Sequence, residues 1–233
     1  MNIGKQANKQ RLQTVEVGKT SVPYLQHGES GFTIVESLVA ILVVGILLAA
    51  IAPVIALSVA TRVQSRRVEL ATQAARSYID AVRTQKILAT AGPTTDTALV
   101  AATAPTTTGT LTCIANSYCT DPTAPTGTSL YCVDFDGSGS CESTSVADMV
   151  VQAFRPNNND ATKGYALGIR VYRADAFKAS ITLLKNTSTT KTTQNTFAAG
   201  GGGKKAPLVE MTTDISDIVP KYSDLCARFS GCS

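Results

Sequence analysis

Residues 37–61 form a run of 25 positions without a charged side chain. A helix needs about 20 apolar residues to cross a bilayer core. A buried soluble helix of this length normally keeps a polar stripe, so the run predicts a membrane-spanning helix. Gly45 and Pro53 stand inside it. A mid-helix proline costs about 3 kcal/mol in water, but in a membrane bundle neighbouring groups re-satisfy the freed carbonyl. A kink or weak point is expected near Pro53.

Beyond the run the apolar positions change to helical spacing. Val63, Leu70, Ala71, Ala74, Ala75, Tyr78 and Val82 make one face, and Arg62, Arg66, Glu69, Gln73, Arg76, Asp80 and Arg83 lie largely opposite. The pattern fades near Ala89, and Gly92-Pro93 is a stop signal. We therefore expect an amphipathic helix over 62–90 continuing the span over 32–61. Residues 91–129 are rich in Thr, Ala and Pro and read as a long surface loop. Strands are expected at 130–135, 149–154 and 164–173. In the last, Tyr165, Leu167, Ile169, Val171 and Arg173 share one face, with Arg170 and Tyr172 on the other. Weaker strand signals lie at 181–184 and 207–211, and a short helix at 224–229. A long N-terminal helix followed by a small antiparallel sheet is an α+β fold. Residues 91–233 form its globular domain.

Glu36 interrupts this apolar logic. A carboxylate costs about 2.5–3.5 kcal/mol at mid-bilayer, less near an end. No Lys or Arg lies within a turn or two of it. Cleavage after Gly31 would supply a cation: the new amino group on Phe32 would sit one helical turn from Glu36. The alternative is that Glu36 only marks the wet end of the helix.

The stretch Gly31-Phe32-Thr33-Ile34-Val35-Glu36 resembles the class III signal of type IV pilins and of the pseudopilins of type II secretion. The resemblance covers about 60 residues, from the leader through the long helix. It implies a pilin-like fold, cleavage between Gly31 and Phe32 by a prepilin peptidase, and methylation of the Phe32 amine. It also implies that Glu36 neutralises an adjacent subunit's terminus, and that other pilin or pseudopilin subunits are partners through the N-terminal helix. Residues 1–31 would then be a leader. It carries Lys5, Lys9, Arg11 and Lys19 against Glu16 and Glu29. It has no apolar core of its own, unlike an ordinary secretory signal.

Arg62, Arg66 and Arg67 follow the span closely, while only Lys19 is near its other end. Counting basic residues alone would put the C-terminus in the cytoplasm. The processing motif and the cysteines override that count. All six, Cys113, Cys119, Cys132, Cys141, Cys226 and Cys232, lie after the helix. An even set suggests disulfides in an oxidising compartment. The expected localisation is the inner membrane, single-pass, with an extracytoplasmic C-terminal domain. Six cysteines allow 15 pairings; the spacings suggest Cys113–Cys119, Cys132–Cys141 and Cys226–Cys232. None has the tight spacing of a zinc ribbon.

The single histidine, His27, is in the leader. Residues 32–233 therefore offer no imidazole for catalysis or metal ligation, and no enzymatic step is assigned. Gly200 to Gly203 followed by Lys204 and Lys205 fails the phosphate-loop pattern, because Lys205 stands where Ser or Thr should be. Asp134, Asp136, Ser138, Ser140 and Glu142 alternate like the first ligands of a calcium loop. Ser145 occupies the position of the bidentate Glu, so a disulfide-closed hairpin is the rival reading. With four basic and two acidic side chains in the leader, residues 32–233 hold 17 basic and 15 acidic ones. That balance gives no footprint for nucleic acid.

The expected function is a minor pilin or pseudopilin, a structural subunit of a filament that serves secretion or motility. The acidic loop between Cys132 and Cys141 and the Cys226–Cys232 pair also look like cyanobacterial pseudopilins tied to hormogonium polysaccharide secretion. Two alternatives stand: a membrane-tethered pilus-tip module that binds a surface, glycan or DNA, and an anchored extracytoplasmic enzyme.

Overall fold

In the computed structural model, residues 31, 33–87, 102–155, 164–192, 194, 201–216 and 221–228 are described. Helix α1 spans Ile34–Arg83 and holds Pro53 without ending there. Six strands follow: β1 (Cys113–Ile114), β2 (Thr128–Val133), β3 (Ser140–Cys141), β4 (Met149–Phe154), β5 (Tyr165–Arg173) and β6 (Val209–Ile215). A short helix, α2, covers Tyr222–Arg228. The chain divides into two units, 1–49 and 50–233.

Within the second unit, β2-β4-β5-β6 form an antiparallel sheet and β1-β3 a separate two-stranded ladder. The arrangement is α+β. The part of α1 after residue 70 covers one face of the four-stranded sheet. Ala71, Ala74, Ala75, Tyr78, Ile79 and Val82 are buried there, in one cluster with Tyr131, Val133, Met149, Val151, Leu167, Ile169 and Val171. Three alanines with no exposed surface let the helix backbone approach the strands closely. The Tyr78 ring meets Tyr131 edge-on at 5.2 Å, and Tyr118 meets Tyr131 at 5.5 Å. The polar side of this segment (Glu69, Gln73, Arg76, Asp80, Arg83) is exposed.

The helix ends at Arg83, earlier than the expected stop near Ala89, and so shortens the expected 62–90 element. The Lys86 amide donates to the Ala81 carbonyl at 2.9 Å and the Gln85 amide to Val82 at 3.0 Å. Gln85 has φ +54°. This is a Schellman end with glutamine in the left-handed position that glycine usually takes. The Gly92-Pro93 stop lies outside the described residues.

The opposite face of the sheet is also covered. Leu130, Val150 and Tyr172 pack with Ala104, Ala174, Ala176, Phe177 and Leu183. The cover comes from 102–111, within the expected surface loop, and from 174–184. The Thr107 amide donates to Ile181 O at 2.8 Å, and the Leu183 amide to Pro105 O at 2.9 Å. The expected strand at 181–184 is therefore only an isolated bridge, Thr106 to Thr182. These backbones bond to a loop rather than to the sheet. Arg170, on this face, is fully buried. Its guanidinium lies 4.7 Å over Phe154, donates to Ala102 O at 2.8 Å and sits 3.2 Å from Glu210. At the end of β5, Asp175 pairs with Arg173 and with Lys204. That ties the turn at 201–204 to the sheet.

Candidate functional site

The first candidate site is the start of α1. The Thr33 hydroxyl accepts the Glu36 amide at 3.3 Å, and the Thr33 carbonyl accepts the Ser37 amide at 3.1 Å. Thr33 is thus the N-cap and Glu36 the third helical residue, the T-x-x-E order of a capping box. Sequence reasoning on Glu36 missed this role of Thr33, although the spacing was visible. The cap fixes where the helix starts: Gly31 lies two residues before it, exposed and outside regular structure. Phe32 lies outside the described residues.

Glu36 is exposed, among apolar side chains that are exposed as well. Ile34, Val35, Leu38, Val39, Ile41 and Leu42 all show more than half their surface. No residue from 33 to 59 is buried. Such a surface is costly in water, at about 25 cal/mol per Å² of apolar area. It requires lipid or apolar partner helices. Helix α1 is long and apolar enough to cross a membrane.

The second candidate site is the β2–β4 connection, residues 134–148. The structure brings together the carboxylates of Asp134, Asp136 and Asp148, with one oxygen of each within 4.8 Å of the others. Asp134 accepts the amides of Asp136 (3.0 Å), Gly137 (2.7 Å) and Gly139 (2.8 Å). Gly137 and Gly139 have φ +77° and +88°, which bend the loop around that carboxylate. Asp136 accepts the Ser138 amide at 3.0 Å and the Ser145 hydroxyl at 2.8 Å. These bonds, that of Ser145 first, hold its carboxyl below the usual range. Of the remaining residues of the expected calcium pattern, Ser138 donates to Ser140 O at 2.8 Å, and Glu142 accepts from Thr144 at 3.3 Å. Glu142 is outside the carboxylate group. Asp148 takes its place, a residue the alternating pattern stopped short of. Asp148 is fully buried and accepts the Phe135 amide at 3.0 Å. Burial pushes its carboxyl above the usual range.

Beside this loop, disulfides join Cys113 to Cys119 and Cys132 to Cys141. The β1–β3 register sets Cys113 opposite Cys141, so the two bridges pack as one cluster. Cys226 is disulfide-bonded too; Cys232, its expected partner, lies outside the described residues.

Residues 26–52 match the family model of the prokaryotic N-terminal methylation motif. No curated protein and no solved structure matches the chain significantly. The matched segment contains Gly31, the Thr33 cap, Glu36 and the exposed apolar turns of α1. Together the motif and the helix mark a membrane-anchoring segment of a structural kind. Residues 26–52 are thus similar to the N-terminal segment of type IV pilin-like and pseudopilin precursors, the kind that prepilin peptidase processes.

Proposed function

We propose that this protein is a minor pilin or pseudopilin. Prepilin peptidase cuts it between Gly31 and Phe32 and methylates the Phe32 amine. The subunit then enters a filament of a pilus or a secretion apparatus, through which it serves secretion or motility. Before assembly it rests in the inner membrane with residues 91–233 outside the cytoplasm, where disulfides persist.

One observation carries the reading: α1 presents an apolar surface on all sides from residue 34 to 59, broken by a single carboxylate in its first turn. Methylation leaves the Phe32 amine cationic. In the apolar interior of a filament each Glu36 needs a cation and each amine an anion. Helices packed in a staggered array supply both by pairing one subunit's Glu36 with the next subunit's terminus. The Thr33 cap holds the Glu36 amide in the helix and so fixes the direction in which the side chain leaves it.

Glu36→Ala tests this reading. The expected variant is cut and methylated normally, remains in the membrane and is missing from sheared filaments. Wild-type amounts in filaments would contradict it.

A further inference from the structure

We propose that Arg62, Arg66 and Arg67 bind the phosphate headgroup of an anionic phospholipid where α1 leaves the bilayer. The uncharged run 37–61 stops at Thr61. As a helix its 25 residues measure about 37 Å. The hydrocarbon core is about 30 Å thick, so Arg62 stands at the level of the headgroups. Arg66 and Arg67 follow within about one and a half turns. Arginine side chains reach back to phosphates while their stems lie along apolar surface. Arg62 and Arg66 are exposed and Arg67 is half-buried. Among the described residues none of the three has an ion-pair partner, although Glu69 lies within a turn of Arg66.

The sheet adds positive charge behind them. The Arg83 guanidinium donates to the Thr213 hydroxyl at 3.2 Å, and Thr213 pairs with Leu167 of β5. From Leu167 to Arg173 the strand advances about 20 Å. From Arg83 back to Arg67 the helix covers about 24 Å. The helix therefore brings Arg67 to the Arg173 end of β5. Burial holds the Arg173 guanidinium below its usual value, Asp175 opposes this, and the charge of Arg67 lowers it further. Arg173 and Lys204 share the carboxylate of Asp175. Two cations on one anion leave a positive charge uncompensated, and Arg173 Nε is buried with no hydrogen-bond partner among the described residues. Asp134, Asp136 and Asp148 stand at the same end of the sheet, beside β2 and β4. Among the described residues they form no ion pair with these cations. An anion held at Arg67 relieves the repulsion there.

The residue type suits the ligand. The planar guanidinium fork matches phosphate oxygens in pairs. Arg62 and Arg66 are i, i+4 neighbours on one face of α1, so a single headgroup can bridge them. A net-negative phospholipid such as phosphatidylglycerol gains about fivefold in affinity for each basic residue near the surface. Counting basic residues would place these three on the cytoplasmic side, whereas the proposed topology places them outside. A lipid contact gives them a task at either face. The inference needs only α1 in a bilayer and does not depend on the pilin reading.

The test is electron spin resonance of the full chain reconstituted in phosphatidylcholine vesicles. Spin-labelled phosphatidylglycerol or phosphatidylcholine is the probe, and the fraction immobilised on the protein gives the relative affinity. Phosphatidylglycerol should be preferred by at least about fivefold. The triple variant Arg62→Gln, Arg66→Gln, Arg67→Gln should lose the preference, with the near-ultraviolet dichroism of the tyrosines unchanged. Arg76→Gln makes the same charge change at an exposed position about 15 Å beyond Arg66. In about 0.1 M sodium chloride, where charges are screened beyond about 10 Å, it should leave the preference intact. Sodium phosphate at equal ionic strength should act no differently from chloride; a larger loss in phosphate would assign the site to free phosphate instead of lipid. No preference in the wild type, a preference kept by the triple variant, or an equal loss in Arg76→Gln would overturn the proposal.

Discussion

Replacing Tyr78 with alanine removes the largest fully buried side chain that α1 sets against the sheet. The ring has no exposed surface and contacts Tyr131 edge-on at 5.2 Å. Its hydroxyl is 3.5 Å from that of Tyr118, at the limit of a hydrogen bond. Truncating a buried aromatic costs about 3–5 kcal/mol in lost transfer energy and residual cavity. The edge-on pair accounts for about 0.5–1.5 kcal/mol of that. The long hydroxyl contact contributes no more than about 1 kcal/mol. For a unit of this size each kcal/mol moves the melting temperature by about 2–4 °C. Tyr78→Ala should therefore lower it by roughly 6–20 °C, and Tyr78→Phe by at most about 4 °C. The assay is thermal melting of the mature full-length protein in detergent, followed by near-ultraviolet circular dichroism of the tyrosines, because micelle-bound helix dominates the far-ultraviolet signal. A Tyr78→Ala protein melting within about 3 °C of the wild type would refute the packing of α1 on the sheet. Equal losses for Phe and Ala would refute the assignment of the energy to the ring.

Two further outcomes follow from the same interior. Burial pushes the phenols of Tyr78 and Tyr172 well above their ordinary value. A raised folded-state value means that the native state keeps protons the unfolded chain releases; this contribution is full below about pH 10 and is lost as pH rises beyond it. In an ultraviolet tyrosinate titration these two residues should ionise only as the protein unfolds. Simultaneous ionisation of all tyrosines near pH 10, with dichroism intact, would contradict it. The Cys132–Cys141 bridge closes a sequence separation of 9, which by chain entropy is worth about 2–3 kcal/mol. The double variant with both cysteines replaced by alanine should melt several degrees lower, and an unchanged melting point would show that the bridge adds nothing to the disulfide cluster.

The readable parts of this chain were those whose signal is local. The uncharged run predicts α1, and a period of two with β-branched residues predicts β5 at 164–173, observed as Tyr165–Arg173. The run at 149–154 is β4 with the expected ends. Fidelity dropped wherever a distant partner decided the outcome. Gln85 closes α1 from the left-handed region, and glutamine carries no stop signal. The Thr-rich stretch near 102–107 read as surface loop, yet it pairs with 181–183 across more than 70 residues of sequence to cover the second face of the sheet. Asp148 sits beyond the alternating acidic pattern, and only the β2–β4 register returns it to Asp134. At the N-terminus the motif was legible, since Gly31 and Glu36 both lie in the matched segment 26–52. The role of Thr33 in starting the helix was also written locally, in a T-x-x-E spacing.

The most direct test of the account is the amino terminus of the protein isolated from its native membranes, determined by mass spectrometry. The account predicts a chain that begins at Phe32 with a methylated amine. A chain that keeps the leader, or one cut at another bond, would contradict it and leave Glu36 without its partner.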